Sequence, residues 1–244
     1  MLDPGLDSTK REKVGPISEP NILALDAAGN ACSAALWADG RVASERWEAM
    51  ARGHAEALMP MAEAVVGETG FGALDLVAVT TGPGAYTGLR IAIAAARGLA
   101  LALDVPVIGI GSFDVHLRRA REGGADGPLM ILLETKRAEF YGQAFAADDA
   151  SHGGPAVMDG ERAVAEIAKH GIAMAAGDAV GRFAEQQPTA RAVAFCEQDA
   201  SAATLVALAA ERWTGEADVA PPRPMYLRPP DTSPPAADRQ ILRG

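Results

Sequence analysis

The sequence predicts an α/β protein whose two halves share one order of elements, β-β-β-α-β-α-β. Short apolar runs alternate with longer amphipathic or alanine-rich stretches, as strands alternate with helices. The order within residues 21–111 recurs within 112–218, after a helix over 112–122, and a final helix follows. A chain of 244 residues is long enough to bury the hydrophobic core that two such halves require. The duplicated order matches the actin-like ATPase fold of sugar kinases and chaperone ATPases, with two ribonuclease-H-like halves.

Turn residues and apolar runs define the elements predicted in the first half. An apolar run over 21–27 predicts a buried strand, and the dipeptide Asp39-Gly40 predicts a hairpin between two further strands. Apolar residues at helical spacing predict a helix over 54–66, although Pro60 in its interior should delay its regular hydrogen bonding. The remaining predicted elements are strands over 32–38, 41–48, 74–81 and 105–110 and a helix over 87–103.

The second half shows the same alternation. Its predicted strands cover 129–134, 138–147, 156–158, 172–176 and 190–195, and its predicted helices cover 160–169, 178–185 and 201–213. The segment 219–244 is rich in proline and should be extended, and we expect disorder beyond Pro230. Residues 1–20 are polar, lack the apolar core of a signal peptide and are expected to form a disordered leader.

A glycine-rich turn separates the strand over 74–81 from the alanine-rich helix. Gly82, Gly84 and Gly88 permit a sharp turn and a close backbone approach, and Thr87 is the expected N-cap. Such a turn can hold a phosphate at a helix N-terminus. Neither GxGxxG nor a Gly-Lys-Thr loop is present, so close packing of the helix is the favoured interpretation over a phosphate cradle.

The composition of the chain argues against direct binding of nucleic acid and against a membrane span. The net charge is −10, so the chain alone should bind nucleic acid poorly, and a partner would carry most of any such contact. Cys32 and Cys196 show no metal-binding spacing, which fits a reducing, cytoplasmic compartment. Arg90 and Arg97 interrupt the long apolar run over 89–103, which argues against a membrane span.

Three motifs carry a resemblance to a known family. Gly82-Pro83-Gly84-x-x-Thr87-Gly88-Leu89-Arg90-Ile91 resembles the signature of the TsaB (YeaZ) family, glycoprotease-like subunits of the bacterial machinery that makes threonylcarbamoyladenosine in tRNA. The run 22–26 with 31–36 resembles the opening strands of that family, and 54–60 resembles its first helix. Pro224-Met225-Tyr226-Leu227-Arg228 resembles its C-terminal motif. The resemblance covers roughly residues 21–230.

Residues expected to carry chemistry in this fold are largely replaced. The first phosphate loop would begin at Asp26, yet Ala27 and Ala28 replace the hydroxyl residues that are usual in the family. An aspartate at the end of a strand, as Asp26 is, more often caps a turn. The second loop would lie at 134–137, whose charges either support a partner or form a solvated hairpin turn. We therefore treat the following residues as a vestigial phosphate loop: Asp26, Gly82, Gly84, Thr87 and Gly88.

The sequence contains no pattern that is typical of a metal site or of a catalytic nucleophile. The catalytic relative TsaD holds its metal through a His-x-x-x-His pair, and the corresponding positions here are Ser112 and His116, which are too few ligands for a metal site. No HExxH or GxSxG motif is present, and Cys32 lies in an apolar strand where it should be buried and inert. The sequence predicts no metal and no cofactor.

The resemblance implies a non-catalytic subunit that binds TsaD and works with the ATPase TsaE. Their complex transfers a threonylcarbamoyl group from threonylcarbamoyl-AMP to the adenosine beside the anticodon. The resemblance therefore implies that this chain contacts tRNA indirectly, through the complex. The implied TsaD interface lies on the helices over 54–66 and 87–103. The residues predicted for it are His54, Leu58, Met61, Leu89, Ala92, Ile93, Ala95, Ala96 and Leu99.

Two alternatives remain open at this point. An exposed helical face that awaits a partner can also pair with a second copy, which would give a homodimer of the free chain. A stand-alone ATP-dependent kinase of the same fold would instead bind and hydrolyse nucleotide by itself. The interface hypothesis predicts that Ala95→Arg or Ala96→Glu blocks assembly and leaves the fold intact.

Overall fold

The computed structural model describes residues 19–188, 194–196, 200–215 and 220–228, with 194–196 described by their backbone. The predicted leader, apart from Glu19 and Pro20, and the predicted disorder beyond Pro230 lie outside these ranges. The strands are β1 Ile22–Asp26, β2 Ala31–Ala38, β3 Arg41–Ala49, β4 Leu76–Gly82, β5 Val107–Gly111, β6 Leu129–Glu134, β7 Phe140–Phe145, β8 Ala156–Met158, β9 Met174–Ala176 and β10 Ala194–Cys196. The α-helices are α1 His54–Val66, α2 Tyr86–Leu103, α3 Ser112–Glu122, α4 Gly160–Lys169, α5 Val180–Gln186 and α6 Ala202–Arg212.

The two sheets have the same topology. The first has the strand order β3-β2-β1-β4-β5, and the second has β8-β7-β6-β9-β10, which repeats that order strand for strand. In each sheet the first strand pairs antiparallel with the second and parallel with the fourth. This arrangement confirms the predicted α/β fold with two halves of the order β-β-β-α-β-α-β.

The central strand β1 is apolar along its whole length because helices cover both faces of the first sheet. Leu23 and Leu25 belong to the core formed with α1 and α2, whereas Ile22 and Ala24 belong to the core formed with α6. Alternate side chains of a strand point to opposite faces, so a strand buried on both sides requires a continuous apolar run.

The last helix among the described residues, α6, completes the core of the first half. The backbone N–H of Ala202 at the start of α6 donates to the buried Ser33 hydroxyl, with 3.0 Å between the two atoms. Leu205, Val206 and Ala209 of α6 are fully buried against the first sheet. The chain therefore returns from the second half to cover the face of the first sheet that α1 and α2 leave open.

The predicted N-cap of α2 and the predicted delay in the hydrogen bonding of α1 are both wrong, although α1 has the predicted bounds. Helix α2 begins at Tyr86 after the N-cap Ala85, which has no capping side chain, so Thr87 lies inside the helix and is not its cap. Helix α1 begins at His54 in spite of Pro60, and the Ala57 N–H already bonds the Gly53 carbonyl at 3.0 Å. The carbonyl that Pro60 leaves unpaired belongs to Glu56, and both residues are exposed, so water can satisfy it.

Helix α2 is long and apolar enough to cross a membrane by length and composition alone. Core helices of globular proteins pass the same test. In this structure Leu89, Ala92, Ile93 and Ala96 of α2 are buried against the first sheet, and α2 serves as a core helix.

Candidate functional site

A cavity of about 880 Å³ lies between the two halves. Asp26 ends β1 and Thr80 lies near the end of β4, while Glu134 ends β6 and Asp178 follows β9; all four line the cavity. The two halves thus meet at the carboxyl ends of their central strands, where α/β folds commonly bind ligands. The structure brings together the N-termini of α1, α2 and α3, the β6–β7 hairpin and the C-terminal segment 220–228 at one place.

The glycine-rich turn is used for close packing. A Cβ atom at Gly84 or Gly88 would overlap the carbonyl oxygen of Ala28 or Ala27, respectively. The Ala85 N–H donates to that same Ala28 oxygen, with a nitrogen-to-oxygen distance of 2.7 Å. The start of α2 is therefore pressed onto the turn that follows β1, as the packing interpretation of the motif predicts.

Four of the five residues in the vestigial phosphate loop line the cavity. These are Asp26, Gly84, Thr87 and Gly88, whereas Gly82 does not line it. Gly82 has a φ of +102°, which favours glycine, and an added Cβ would lie 2.9 Å from a methyl group of Leu89. Its position is thus explained by backbone conformation and by packing under α2.

Asp26 serves as a turn cap at the floor of the cavity. Its side chain is 8% exposed, and its Oδ1 accepts the Ala28 N–H at 2.9 Å. Burial raises the pKa of the Asp26 carboxyl, and the negative charge of Asp178 across the cavity adds to that rise. A carboxyl bonded and buried in this way fits the structural role that strand-end aspartates commonly have.

The second loop is held by its own hydrogen bonds. The Thr135 hydroxyl lies 2.6 Å from the Glu139 carbonyl, to which it donates, and it accepts the Arg137 N–H. Glu134 is paired with Arg182 of α5 at 2.6 Å, and its backbone N–H donates to Asp178. The side chains of Glu134 and Thr135, which a phosphate loop would direct at a ligand, are here bonded to other groups of the protein.

Ser112 and His116 both line the cavity one turn apart on α3. One hydroxyl and one imidazole make a poor set of ligands for a transition metal. Within the residues that the structure describes, no group of three or more His, Cys, Asp and Glu side chains is arranged to hold a metal ion.

Three long helices point uncapped N-termini at the cavity, a feature that the sequence analysis missed. The N-cap residues of α1, α2 and α3 are Gly53, Ala85 and Gly111, and none of them makes a side-chain cap. Helices α4 and α6, in contrast, are capped by the side chains of Asp159 and Ser201. The signal was present in the sequence, because glycine and alanine stand where Ser, Thr, Asp or Asn is usual.

The residues predicted for the partner interface divide into two groups. Leu58, Leu89, Ala92, Ile93 and Ala96 are at most 5% exposed and face the core, and His54 is 9% exposed. Met61, Ala95 and Leu99 are partly buried and border the surface. The buried group packs α1 and α2 onto the first sheet and offers no contact area to a partner. In consequence, Ala96→Glu is a core substitution, which should disturb the fold itself.

The C-terminal segment 220–228, called the strap below, crosses from the first half to the second. The Met225 N–H donates to the Thr81 carbonyl at 2.7 Å, and the Tyr226 ring packs on the Tyr86 ring with centroids 5.3 Å apart. Leu227 packs against the core of the second half, and Arg228 pairs with Glu139 at 2.7 Å. The sequence analysis placed Tyr226 and Leu227 in one motif but did not show that they attach to different halves.

Comparison with known proteins adds four findings. A family model described as TsaD, tRNA N6-adenosine threonylcarbamoyltransferase, matches residues 47–220. The tRNA threonylcarbamoyladenosine biosynthesis protein TsaB of Escherichia coli (strain K12) is 34% identical over 131 residues, which are 52% of this chain and 56% of that protein. An uncharacterized protein of Mycobacterium tuberculosis (strain ATCC 25618 / H37Rv) is 30% identical over 217 residues, which are 87% of this chain and 94% of that protein. The solved structure of YeaZ from Pseudomonas aeruginosa superposes with a TM-score of 0.71 at 31% identity, covering 85% of this chain and all of that one.

These relatives differ in how much of their length is matched. The chain spans about half the length of the curated TsaB proteins with which it aligns, from 51% in Haemophilus influenzae to 56% in Escherichia coli. The solved YeaZ structure is covered throughout. The structural match therefore extends beyond the region that aligns with those TsaB proteins.

Proposed function

Because the chain belongs to the TsaB (YeaZ) family, we propose that it is a non-catalytic subunit of the system that makes threonylcarbamoyladenosine in tRNA. Its direct partner is the catalytic subunit TsaD, and TsaE joins the same complex in the cytoplasm. Contact with tRNA runs through the complex, because a chain with a net charge of −10 repels a phosphate backbone.

The observation that carries this proposal is the outer face of α2. Exposed residues recur along it at helical spacing, and Leu101 near its C-terminal end is 85% exposed. Small and apolar residues dominate the stripe, which consists of Tyr86, Arg90, Ala94, Arg97, Gly98, Leu101 and Ala102. A helix whose inner face is core and whose outer face carries mainly small and apolar side chains is typical of a surface that a partner covers.

Helix α1 lies beside α2 and extends this surface. Its residues Ala55, Met59 and Ala64 are exposed, and Met59 is 37% exposed. Helices α1 and α2 contact each other on the same face of the first sheet. The proposed TsaD interface is therefore the exposed side of this helix pair, which on α2 is displaced by about a third of a turn from the buried residues that the sequence suggested.

The cleft supports the non-catalytic part of the proposal. Asp26 caps the turn after β1, Thr135 holds the β6–β7 hairpin, and Glu134 is paired with Arg182. These are the side chains that a kinase of this fold would need for its phosphates. Their engagement does not favour the stand-alone kinase.

The experiment is titration of the purified chain with TsaD from the same organism, followed by size-exclusion chromatography with light scattering. We expect a stoichiometric complex with the wild-type chain and none with Ala94→Arg or Leu101→Glu. The matched control is Ala165→Arg, which places the same side chain on an exposed site of α4 in the second half. All three variants should keep the thermal midpoint of the wild-type chain.

Two results would overturn the proposal. Complex formation that survives both α2 variants would show that TsaD does not bind this face. ATP turnover by the isolated chain, at a rate that an Asp26→Asn substitution abolishes, would show that the chain is an enzyme in its own right.

A further inference from the structure

The strap carries exposed apolar side chains next to the exposed face of α2. Over the described residues, the large apolar side chains that are exposed are Trp47, Met59, Tyr86, Leu101, Met225 and Tyr226. Two of them lie on the strap, two on α2 and one on α1, whereas Trp47 lies apart from the others on β3. Exposed apolar side chains that cluster in this way mark a surface that a partner covers.

The exposed part of the strap is held in place before any partner binds. The Tyr226 ring packs on Tyr86, and its hydroxyl accepts from Arg90. A Cβ atom added at Gly109 of β5 would lie 2.9 Å from the Cβ of Pro222, which is buried. Three of the nine residues of the strap are prolines, whose rings restrict the backbone further. A surface that is fixed in this way loses little conformational entropy when it binds.

The same surface is positively charged, although the chain as a whole is acidic. The sequence contains 32 Asp and Glu residues against 22 Lys and Arg, yet α2 and the strap together carry four arginines and no acidic residue. Arg97 of α2 and Arg223 of the strap are exposed, and the ion pairs among the described residues involve neither of them. Acidic side chains are exposed on the adjoining elements, at Glu56 and Glu63 of α1 and at Asp104, the C-cap of α2. The arginines of α2 and the strap therefore favour a partner that supplies carboxylates.

We propose that the strap and the start of α2 form one docking surface for an acidic and apolar segment of TsaD. This surface, called the strap face below, consists of Tyr86, Arg90, Arg223, Met225 and Tyr226. This inference rests on the function proposed above, and the strap face adds a second contact region to the exposed side of α1 and α2. Because Leu227 and Arg228 attach the strap to the second half, a partner bound here contacts a segment that is fixed to both halves.

An acidic protein segment fits the strap face better than nucleic acid or a second copy of the chain does. A long phosphate backbone would extend past the arginines and meet a chain whose net charge is −10. A second copy in a two-fold contact would present the same arginines to this surface. Tyrosine and arginine are also enriched among the residues that dominate the binding energy of protein interfaces.

The test measures the affinity of TsaD from the same organism for the full-length chain by biolayer interferometry, at low and at high salt. Arg223→Glu should weaken the complex about tenfold at low salt and much less at high salt, because ions screen the reversed charge. Met225→Ala should weaken the complex about fivefold at both salt concentrations, because it removes apolar contact area. This variant keeps the backbone N–H that bonds the Thr81 carbonyl, so the strap stays attached.

The matched control is Arg41→Glu, which makes the same change of charge at an exposed position on β3. Strand β3 is the edge of the first sheet opposite β5, on which the strap lies. Losses in both strap variants without a loss in Arg41→Glu support the strap face. Equal losses in Arg41→Glu and Arg223→Glu would attribute the effect to net charge and would overturn it.

The remaining outcomes separate this inference from the proposed function. Wild-type affinity in both strap variants, together with a loss in Leu101→Glu, would overturn the strap face and leave TsaD bound to α2. Absence of a complex with the wild-type chain would overturn both. The isolated chain is also tested for self-association and for binding to a single-stranded RNA oligonucleotide. An effect of Arg223→Glu on either of these, with unchanged affinity for TsaD, would assign the surface to a second copy or to nucleic acid instead.

Discussion

Nε of Arg90 donates a hydrogen bond to the Tyr226 hydroxyl, with 2.9 Å between the two atoms. The same guanidinium lies 3.9 Å from the centroid of the Tyr86 ring, so Arg90 contacts both aromatic rings that join α2 to the strap. Together with the ion pair between Arg228 and Glu139, these contacts fasten one short segment to both halves of the molecule. The strap therefore bridges the edge of the cavity.

Replacement of Tyr226 tests how the strap is held. Tyr226→Ala removes the ring stacked on Tyr86 and should cost about 1 kcal/mol of local stability. We expect faster hydrogen exchange in residues 220–228 and little change elsewhere. Tyr226→Phe keeps the ring and loses only an exposed hydrogen bond, so its exchange should stay close to that of the wild type. Equal exchange in both variants would show that the hydroxyl, and not the ring, holds the strap.

A pair of glycine substitutions in α2 tests the close approach to β1. Alanine normally stabilises a helix by about 1 kcal/mol relative to glycine. At Gly98 an added Cβ meets no atom within 4 Å, so Gly98→Ala should raise the stability of the free chain by up to that amount. At Gly88 the Cβ would overlap the Ala27 carbonyl, so Gly88→Ala should cost about 2 kcal/mol. Urea denaturation gives both values, and equal signs would contradict the packing argument.

The pair of Arg182 and Glu134 should support the β6–β7 hairpin. Arg182 bonds both Glu134 oxygens, at 2.6 and 3.2 Å, donates to the Ala138 and Glu139 carbonyls, and lies 4.0 Å from the Phe140 ring centroid. Arg182→Ala leaves Glu134 partly buried without its cation and should cost about 2 kcal/mol by chemical denaturation. Arg182→Lys keeps the charge and should lose less. A larger loss in the lysine variant would contradict this account.

Asp26 should make stability fall as the pH rises. Burial raises the pKa of its carboxyl, so the folded chain retains the proton at pH values where the unfolded chain has released it. The free energy of unfolding therefore decreases with pH from about 3.9, the ordinary aspartate value, up to the raised pKa. Asp26→Asn can still accept the Ala28 N–H and removes this penalty.

The Asp26→Asn variant should accordingly be more stable than the wild type at neutral pH. The difference in unfolding free energy should shrink as the pH is lowered toward the ordinary aspartate range. Thermal denaturation over a series of buffers measures both trends. A variant that is less stable at neutral pH would mean that the ionised carboxylate makes a stabilising contact in the cleft.

Cys32 should resist alkylation while the chain is folded. Burial is the main cause that raises the pKa of its thiol to about 11, and neighbouring carboxylates add to the rise. The thiolate is the reactive form, so labelling by iodoacetamide near pH 8 should be about two orders of magnitude slower than for a free thiol. The measurement uses a Cys196→Ser chain, with the urea-unfolded chain as its reference. Equal rates in the two states would show that Cys32 is accessible.

The order of elements could be predicted because local patterns dominate it. The apolar run at Ile22 and the Asp39-Gly40 hairpin each identify one element with little help from tertiary structure. The N-cap of α2 could not be predicted, because Thr87 has the right chemistry and only the packing of Gly84 and Gly88 moves the start of the helix to Tyr86. Tertiary contact overrides local preference at that turn.

The candidate site was harder to predict than the fold. Helical spacing placed Leu58, Leu89 and Ala96 in the predicted partner interface, whereas all three are core residues. Periodicity does not distinguish the face that meets the sheet from the face that meets a partner. His54 and Lys136 line the same cavity from different halves, although more than eighty positions separate them in the chain. No local pattern reports such a meeting, which follows only from the way the two sheets are placed around the cavity.

The return of α6 onto the first sheet has a consequence for biosynthesis. Ribosomes add about 5–20 residues per second, so about 5 to 20 s separate the emergence of residue 111 from that of residue 212. During that interval the sheet face bearing Ile22 and Ala24 lacks α6, the helix that supplies most of its covering side chains. The first half is therefore an unfinished domain while it is being translated. A nascent chain that stalls before α6 exposes the kind of surface that chaperones bind.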